Sequence, residues 1–207
     1  MSEIILARGR ELTEDREILE GMFRLRHQVF RERLGWDVRS EHGMERDGYD
    51  DLNPLYMVVR EGAAVEGCWR ILPTTGPYML KDTFPLLLRG EAPPRDPAVW
   101  EVSRFAVRHC DCHDRGLSGI GGLTLDMFQK VVVLAERNGV RAYVTVISVS
   151  FERLLRKIGM PMRRFGDGRA RKAGKVMSVA VWIDVDDQLK ECILKAREAA
   201  RTLPVAA

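Results

Sequence analysis

The sequence predicts an α/β or α+β layered domain, with a mixed sheet packed between helices. Three observations carry this. Short stretches rich in β-branched and aromatic residues, at 55–60, 64–72, 100–107, 141–148 and 175–185, have the make-up of strands. Residues 123–138, 151–159 and 187–202 carry apolar side chains at helical spacing. Strand 100–107, helix 123–138 and strand 141–148 also follow one another as a right-handed crossover unit would. The 207 residues suffice for one substantial domain with a core of its own. No internal repeat, low-complexity tract or linker divides residues 1–207.

EIILA at 3–7 is a candidate first strand. A helix is expected from Thr13, as N-cap, to about Phe30, with Ile18, Leu19, Met22, Leu25 and Val29 on its apolar face. Residues 31–53 lose periodicity and read as a long polar loop, a length that within a compact domain points to function or disorder. Trp36 and Tyr49 argue against plain disorder. The stretches at 55–60 and 64–72 form a hairpin turning near Glu61-Gly62. A turn at 73–77, a short helix before Pro85 and a proline-rich loop at 90–97 lead into WEVSRFAV at 100–107. Asn138-Gly139 closes the next helix. Ser148 or Ser150 caps the helix at 151–159, and a strand and a last helix complete the chain.

Hydrophobic residues make up 45% and charged residues 30%, an ordinary globular composition. No apolar run approaches the length of a membrane span, and charges follow at once on the short N-terminal apolar patch, unlike a signal peptide. The four cysteines form no staple pattern, so a reduced, cytoplasmic protein is expected. A net charge of +3 does not by itself mark a nucleic-acid binder. Its distribution is uneven: between 152 and 175, nine Lys and Arg face only Glu152 and Asp167. That excess reads either as a solvated face or as an attractor for an acidic partner.

WEVSRFAV sets an acid, a hydroxyl and a guanidinium, Glu101, Ser103 and Arg104, in a strand bound for the interior. Such groups are costly to bury unless paired or in use. Together with FRLRHQVFRERLGWDV (23–38), GMERDGYD (43–50) and GCWRILPTTGPYMLKDTFP (67–85), this strand resembles the LuxI-type acyl-homoserine-lactone synthases. The likeness continues through VTVISVSFERLLRKIG (144–159). It implies a GNAT-like acyltransferase fold. It also implies transfer of an acyl chain, usually from acyl carrier protein, to the amine of S-adenosylmethionine, followed by lactone closure and release of methylthioadenosine. The family's invariant set falls on Arg26, Phe30, Trp36, Glu45, Asp47, Asp50, Arg70, Glu101 and Arg104, and each position holds the expected residue type. Some relatives take acyl-CoA instead. A threonine at the position of Thr145 tends to accompany 3-oxo-acyl substrates, which implies a 3-oxo chain of medium to long length.

The residue chemistry agrees with these roles. Phe30 and Trp36 offer aromatic faces to a sulfonium; Phe30 would equally serve as core. Asp47 is a candidate partner for the ligand amine, and Arg104 for its carboxylate. Arg26 is also a candidate for binding S-adenosylmethionine, and Glu45, Asp47 and Asp50 with Arg26 and Arg70 read as an ion-pair network that orders the loop while the loop walls the site. Glu101 is the candidate general base, its carboxyl raised by burial and pulled back by Arg104. Ser103 is a candidate for orienting the acyl group or its oxyanion. Strict alternation puts Glu101 and Ser103 on one face and Arg104 on the other, so a bulge or a splayed strand end is expected if all reach one site. Met79, Leu80, Phe84, Val144, Val146, Val149 and Leu155 are candidates for an apolar acyl channel and equally for plain core. Arg153, Arg156 and Lys157 are the expected docking residues for an acidic carrier protein. Lactone closure is intramolecular and calls for no cofactor and no metal.

Two further stretches carry weaker signals. C-D-C-H-D at 110–114 fits no closed zinc site. RGLSGIGG at 115–122, before a helix, has the look of a pyrophosphate cradle but would here guide pantetheine or turn the chain. The rival readings are a general GNAT-type N-acyltransferase using acyl-CoA, and a basic module binding nucleic acid.

Overall fold

The computed structural model describes residues 2–108 and 120–202. The chain begins with β1 (Glu3–Arg8), α1 (Gly9–Leu12) and α2 (Arg16–Arg26), which runs into a π-helical segment (His27–Arg33). Then come β2 (Ser40–Glu41), β3 (Met44–Glu45) and a 3-10 turn (Gly48–Leu52). The hairpin β4 (Leu55–Glu61) and β5 (Ala64–Pro73) is followed by α3 (Met79–Asp82), a second 3-10 turn (Pro85–Leu88) and β6 (Val99–Val107). The second half holds α4 (Gly122–Asn138), β7 (Ala142–Ser148), α5 (Val149–Lys157), β8 (Arg163–Arg164), β9 (Arg171–Ala173), β10 (Val176–Asp184) and α6 (Asp187–Thr202). No helix among the described residues is long and apolar enough to cross a membrane.

The main sheet is ordered β1-β4-β5-β6-β7-β10-β8, with β9 also on β10. Its pairs are antiparallel except β6 with β7, which are parallel and joined through α4 as the sequence predicts. That parallel register holds for only three pairs, Val99 with Ala142, Trp100 with Tyr143 and Glu101 with Val144. Beyond Glu101 the two strands diverge. On its other side β6 carries a bulge: Cys68 opposes Ala106 and Arg70 opposes Ser103, leaving Arg104 and Phe105 across from Trp69 alone. Arg104 sits at φ 57°, the left-handed region that a bulged residue can occupy. The expected bulge and the expected splay are both present. The bulge breaks the alternation, and Arg104 reaches the same ionic cluster as Ser103.

One apolar cluster lies between the sheet and α4 and α6, built on Leu125, Met127, Val131, Leu189 and Ile193. A second, around Met22, Leu25, Val29 and Phe30, packs α2 and the π-helical segment against β4 and β5. A third, around Tyr78, Leu80, Leu87 and Leu88, covers the sheet under α3.

Two expectations need correction. The helix expected from Thr13 to Phe30 is divided. Asp15 caps α2, its Oδ1 accepting from the Ile18 N–H at 3.3 Å, because α1 ends first and Thr13 N–H turns back to the Arg10 carbonyl. At His27 the winding widens, as the Leu34 N–H to Val29 carbonyl bond of 3.0 Å shows. The wider turn buries the adjacent Val29 and Phe30 together. The polar stretch 31–53 is likewise structured. A tight β2–β3 hairpin turns at His42 and Gly43, both with positive φ, and Asp47 caps the following 3-10 turn through the Tyr49 N–H at 2.9 Å. Sequence periodicity misses such elements because side-chain caps, not apolar faces, hold them.

Candidate active site

The end of α2, β5 and β6 bring three arginines, Arg26, Arg70 and Arg104, against three carboxylates, Glu45 of β3 and Asp47 and Asp50 at the first 3-10 turn. Arg26 is 1% exposed and Glu45 is fully buried. Arg26 forks onto Asp50 with bonds of 2.8 and 2.9 Å and reaches Glu45 at 2.5 Å. Arg70 donates to Asp47 at 2.5 and 3.1 Å and to Asp50 at 2.9 Å. Arg104 meets Glu45 at 3.0 Å and Asp47 at 2.7 Å. The charges cancel, so the cluster can exist away from water. Burial works to raise the Asp50 carboxyl, but Arg26 and Arg70 outweigh it and hold it well below the usual range.

Glu101, from the last position at which β6 pairs with β7, is 1% exposed. Its oxygens accept the first amides of α3, from Met79 at 2.9 Å and Leu80 at 2.6 Å. Burial pushes its carboxyl upward, while those two amides, Arg70 and Arg104 pull the other way. Arg70 also donates to Ser103 Oγ at 3.2 Å and to the Met79 sulfur at 3.0 Å. Phe30 stacks on Trp36 with centroids 5.3 Å apart, and the Arg104 guanidinium lies over Phe30 at 5.4 Å. The Trp36 indole N–H is buried and has no hydrogen-bond partner among the described residues.

These groups form one end of a cavity of about 490 Å³. Phe30, Trp36, Glu101, Ser103 and Arg104 line the charged end. From there the cavity runs into the gap between the diverging β6 and β7, past Thr145 and Val146, into apolar surroundings. A cationic or zwitterionic group can be held at one pole, beside the buried Glu101 carboxylate, and a hydrocarbon at the other.

The comparisons with known proteins bear on this arrangement. Residues 10–193 match the family described as autoinducer synthase. An acyl-homoserine-lactone synthase of Pseudomonas aeruginosa is 41% identical over 186 residues, which are 88% of this chain and 90% of the relative. The chain belongs to the autoinducer synthase family. It is an acyltransferase that makes an acyl-homoserine lactone, the type of signal used in quorum sensing. The crystal structure of the AHL synthase LasI superposes with a TM-score of 0.82 at 38% identity, covering 94% of this chain and 95% of that one. A CoA-dependent acyl-homoserine lactone synthase, BjaI, solved with SAM and isopentyl-CoA, gives a TM-score of 0.80 at 26% identity, covering 96% and 90%. The GNAT-like fold expected from the sequence is therefore the fold of this synthase.

Within this autoinducer synthase the predicted residues separate into two layers. Glu101, Ser103, Arg104, Phe30, Trp36, Met79, Thr145 and Val146 stand on the cavity wall. Arg26, Glu45, Asp50 and Arg70 stand behind it and hold Arg104 in place. Asp47 belongs to that second layer too. Tyr49 N–H, two Arg70 nitrogens and Arg104 occupy its oxygens, so a ligand amine would have to displace one of them. Of the apolar candidates, Met79, Phe84, Val146 and Leu155 reach the cavity, whereas Leu80, Val144 and Val149 pack into the core clusters. The sequence reading missed Phe128 and Val131 of α4, Phe151 and Leu154 of α5, and Leu189 and Ile193 of α6. Their helical spacing is that of ordinary core, so nothing in the sequence could have separated them.

Arg153 and Lys157 are exposed on α5. Arg156 is exposed but bonded to buried Glu152 at 2.9 Å, which also takes Arg164 at 2.6 Å. Glu152 therefore ties α5 to β8 through Arg164, while Arg156 pairs with it inside the helix. The C-D-C-H-D stretch and residues 115–119 of RGLSGIGG lie outside the described residues. Of the remainder, Gly121 is the N-cap of α4.

Proposed function

We propose that the enzyme transfers a medium-to-long, 3-oxo acyl chain from acyl carrier protein to the amine of S-adenosylmethionine and then closes the lactone, releasing methylthioadenosine. The observation that carries this reading is the two-poled cavity with buried Glu101 on the wall of its charged end. The stacked Phe30–Trp36 pair faces the sulfonium by cation–π attraction, and the Trp36 N–H is open to an acceptor on the ligand. BjaI solved with SAM and isopentyl-CoA supports the same pair of substrate classes.

The chemistry needs two displacements. Glu101 takes a proton from the substrate ammonium, directly or through water, and the freed nitrogen pair attacks the thioester carbon. The carbon–sulfur bond of the thioester breaks, and the departing thiolate takes up a proton. In the second step the carboxylate oxygen of the acylated substrate attacks its own γ-carbon. The carbon–sulfonium bond breaks and its electron pair stays on sulfur, which leaves as a neutral thioether. Both partners lie in one molecule, so holding them in near-attack geometry is the main contribution of the protein. No step calls for a cofactor. The Thr145 hydroxyl on the wall suits a 3-oxo group.

The choice of acyl carrier protein rests on α5. Ser150, Phe151 and Leu154 line the cavity, while Arg153 and Lys157 are exposed on the same helix, where they would draw an acidic carrier. The test is mass spectrometry of products from S-adenosylmethionine with matched carrier-linked and CoA-linked thioesters. Methylthioadenosine with a 3-oxo-acyl-homoserine lactone, formed faster from the carrier, is the expected result. A faster CoA reaction would overturn the donor assignment, and a saturated product would overturn the 3-oxo assignment.

A further inference from the structure

The α3 helix is four residues long, too short to stand by itself. Yet its first two amides, from Met79 and Leu80, hold both carboxylate oxygens of Glu101. Contacts at its two ends fix it instead. At the start, the Tyr78 N–H donates to Asp82 Oδ2 at 3.1 Å and the Tyr78 hydroxyl donates to the Pro94 carbonyl at 2.7 Å. At the close, the Thr83 N–H returns to the Met79 carbonyl at 2.8 Å. There the Thr83 hydroxyl also meets the Tyr49 hydroxyl at 2.7 Å, across from the first 3-10 turn. Met79 and Phe84, on either side of this closure, both line the cavity.

Tyr49 is itself anchored in the ionic layer. Its N–H donates to Asp47 Oδ1 at 2.9 Å, and the Arg70 guanidinium lies over its ring at 5.3 Å. We propose that Tyr49 is a positioning residue for Glu101: its hydroxyl holds Thr83, and through Thr83 the turn of α3 whose amides bind the carboxylate. The inference rests on the reading of Glu101 as general base and adds a residue that acts on it without touching substrate. The physical link is the aim of two N–H groups. Hydrogen bonds weaken steeply as they bend, so a loosened α3 gives up much of its grip on the carboxylate. Burial raises the Glu101 carboxyl, and the two amides oppose it together with Arg70 of β5 and Arg104 of β6. The Tyr49 and Tyr78 phenols lie within the field of the same carboxylate. Removing the Tyr49 hydroxyl leaves both arginines and Tyr78 in place, so what changes at Glu101 is the aim of the amides.

Two readouts test this, amide hydrogen exchange along the chain and the pH dependence of kcat followed by methylthioadenosine release. Tyr49→Phe keeps the ring over Arg70 and the N–H on Asp47, and Thr83→Val removes the other hydroxyl of the pair. In each variant the Met79 and Leu80 amides should exchange about two- to tenfold faster, the span of one net hydrogen bond. The acid limb of the pH–rate profile should move to higher pH by about 0.3 to 1 unit, the same factor on the proton equilibrium. Thr83→Ser keeps the hydroxyl and should restore both values. The double variant should go no further than either single one, since each removes the same bond. Unchanged exchange at Met79 and Leu80 in both single variants would overturn the proposal. So would faster exchange spread over the whole chain with a lowered Tm, which is the mark of a general loss of stability. Faster exchange confined to α3 with an unmoved acid limb would instead overturn the base reading of Glu101 and leave the hold of Tyr49 on α3 standing.

Discussion

Glu101 and Asp50 are both buried carboxylates, and they answer pH in opposite directions. Burial dominates at Glu101 and raises its carboxyl above the ordinary value. Its contribution to stability is full below the unfolded pKa and is lost as pH rises through the folded one. Asp50 is held low by Arg26 and Arg70 against its burial. Its contribution is full above the unfolded pKa and is lost as pH falls toward the folded one. Asp50→Asn should therefore flatten the acid limb of a stability–pH curve measured by denaturant unfolding. It should cost about 3–5 kcal/mol at neutral pH, because Arg26 is left buried and short of charge. Glu101→Gln should cut kcat by about 10²–10⁴-fold and remove the acid limb of the pH–rate profile, which lies above the ordinary glutamate range in the wild type. The fold will register that change too. Glutamine presents one oxygen to the two amides Glu101 now satisfies, so a loss of about 1–3 kcal/mol is expected in the same unfolding assay. A variant that keeps wild-type kcat would remove Glu101 from the base role.

At the scale of elements, the site is made by departures from regular structure. The π-helical winding presents Phe30, the β2–β3 hairpin supplies Glu45, and the bulge turns Arg104 toward both. The segment between β5 and β6 roofs the third apolar cluster and carries Met79 and the amides that hold Glu101. It is clamped at Gly166, at φ 55°, where an added Cβ would lie 2.6 Å from the Arg89 carbonyl oxygen. Beside it, Arg89 pairs with Asp167. Gly166→Ala should cost more than about 1 kcal/mol, since both the backbone conformation and the contact oppose it. For a chain of this size that lowers Tm by at least about 2–4 °C. An unchanged Tm in differential scanning calorimetry would mean the roof is not held there.

Across the whole molecule, the excess of positive charge is local. Arg153, Lys157, Arg169, Arg171, Lys172 and Lys175 are exposed, whereas Arg156, Arg163 and Arg164 are engaged by Glu152 and Glu91. Arg153→Glu with Lys157→Glu should raise KM for a carrier-linked donor several-fold, with the effect shrinking as salt is added and kcat little changed. An equal rise in KM for S-adenosylmethionine would point to a disturbed fold instead of lost docking. Arg156 is better left intact in that experiment, because reversing it sets a second carboxylate against buried Glu152.

The layered fold, the parallel β6–β7 unit and the identity of the ionic residues were legible in the sequence. Strand and helix periodicities are local, and the charged residues stand out against the apolar stretches that hold them. It also anticipated that WEVSRFAV could bring Glu101, Ser103 and Arg104 to one site only by breaking alternation, which the bulge does. Only the folded arrangement showed that Asp47 spends its lone pairs on arginines, that Arg156 pairs with buried Glu152, and that Val149 packs against the core cluster. It alone decided that Leu189 and Ile193 face a void. A side chain that lines a cavity and one that fills a core obey the same spacing rule, and only the arrangement of the elements around it tells them apart.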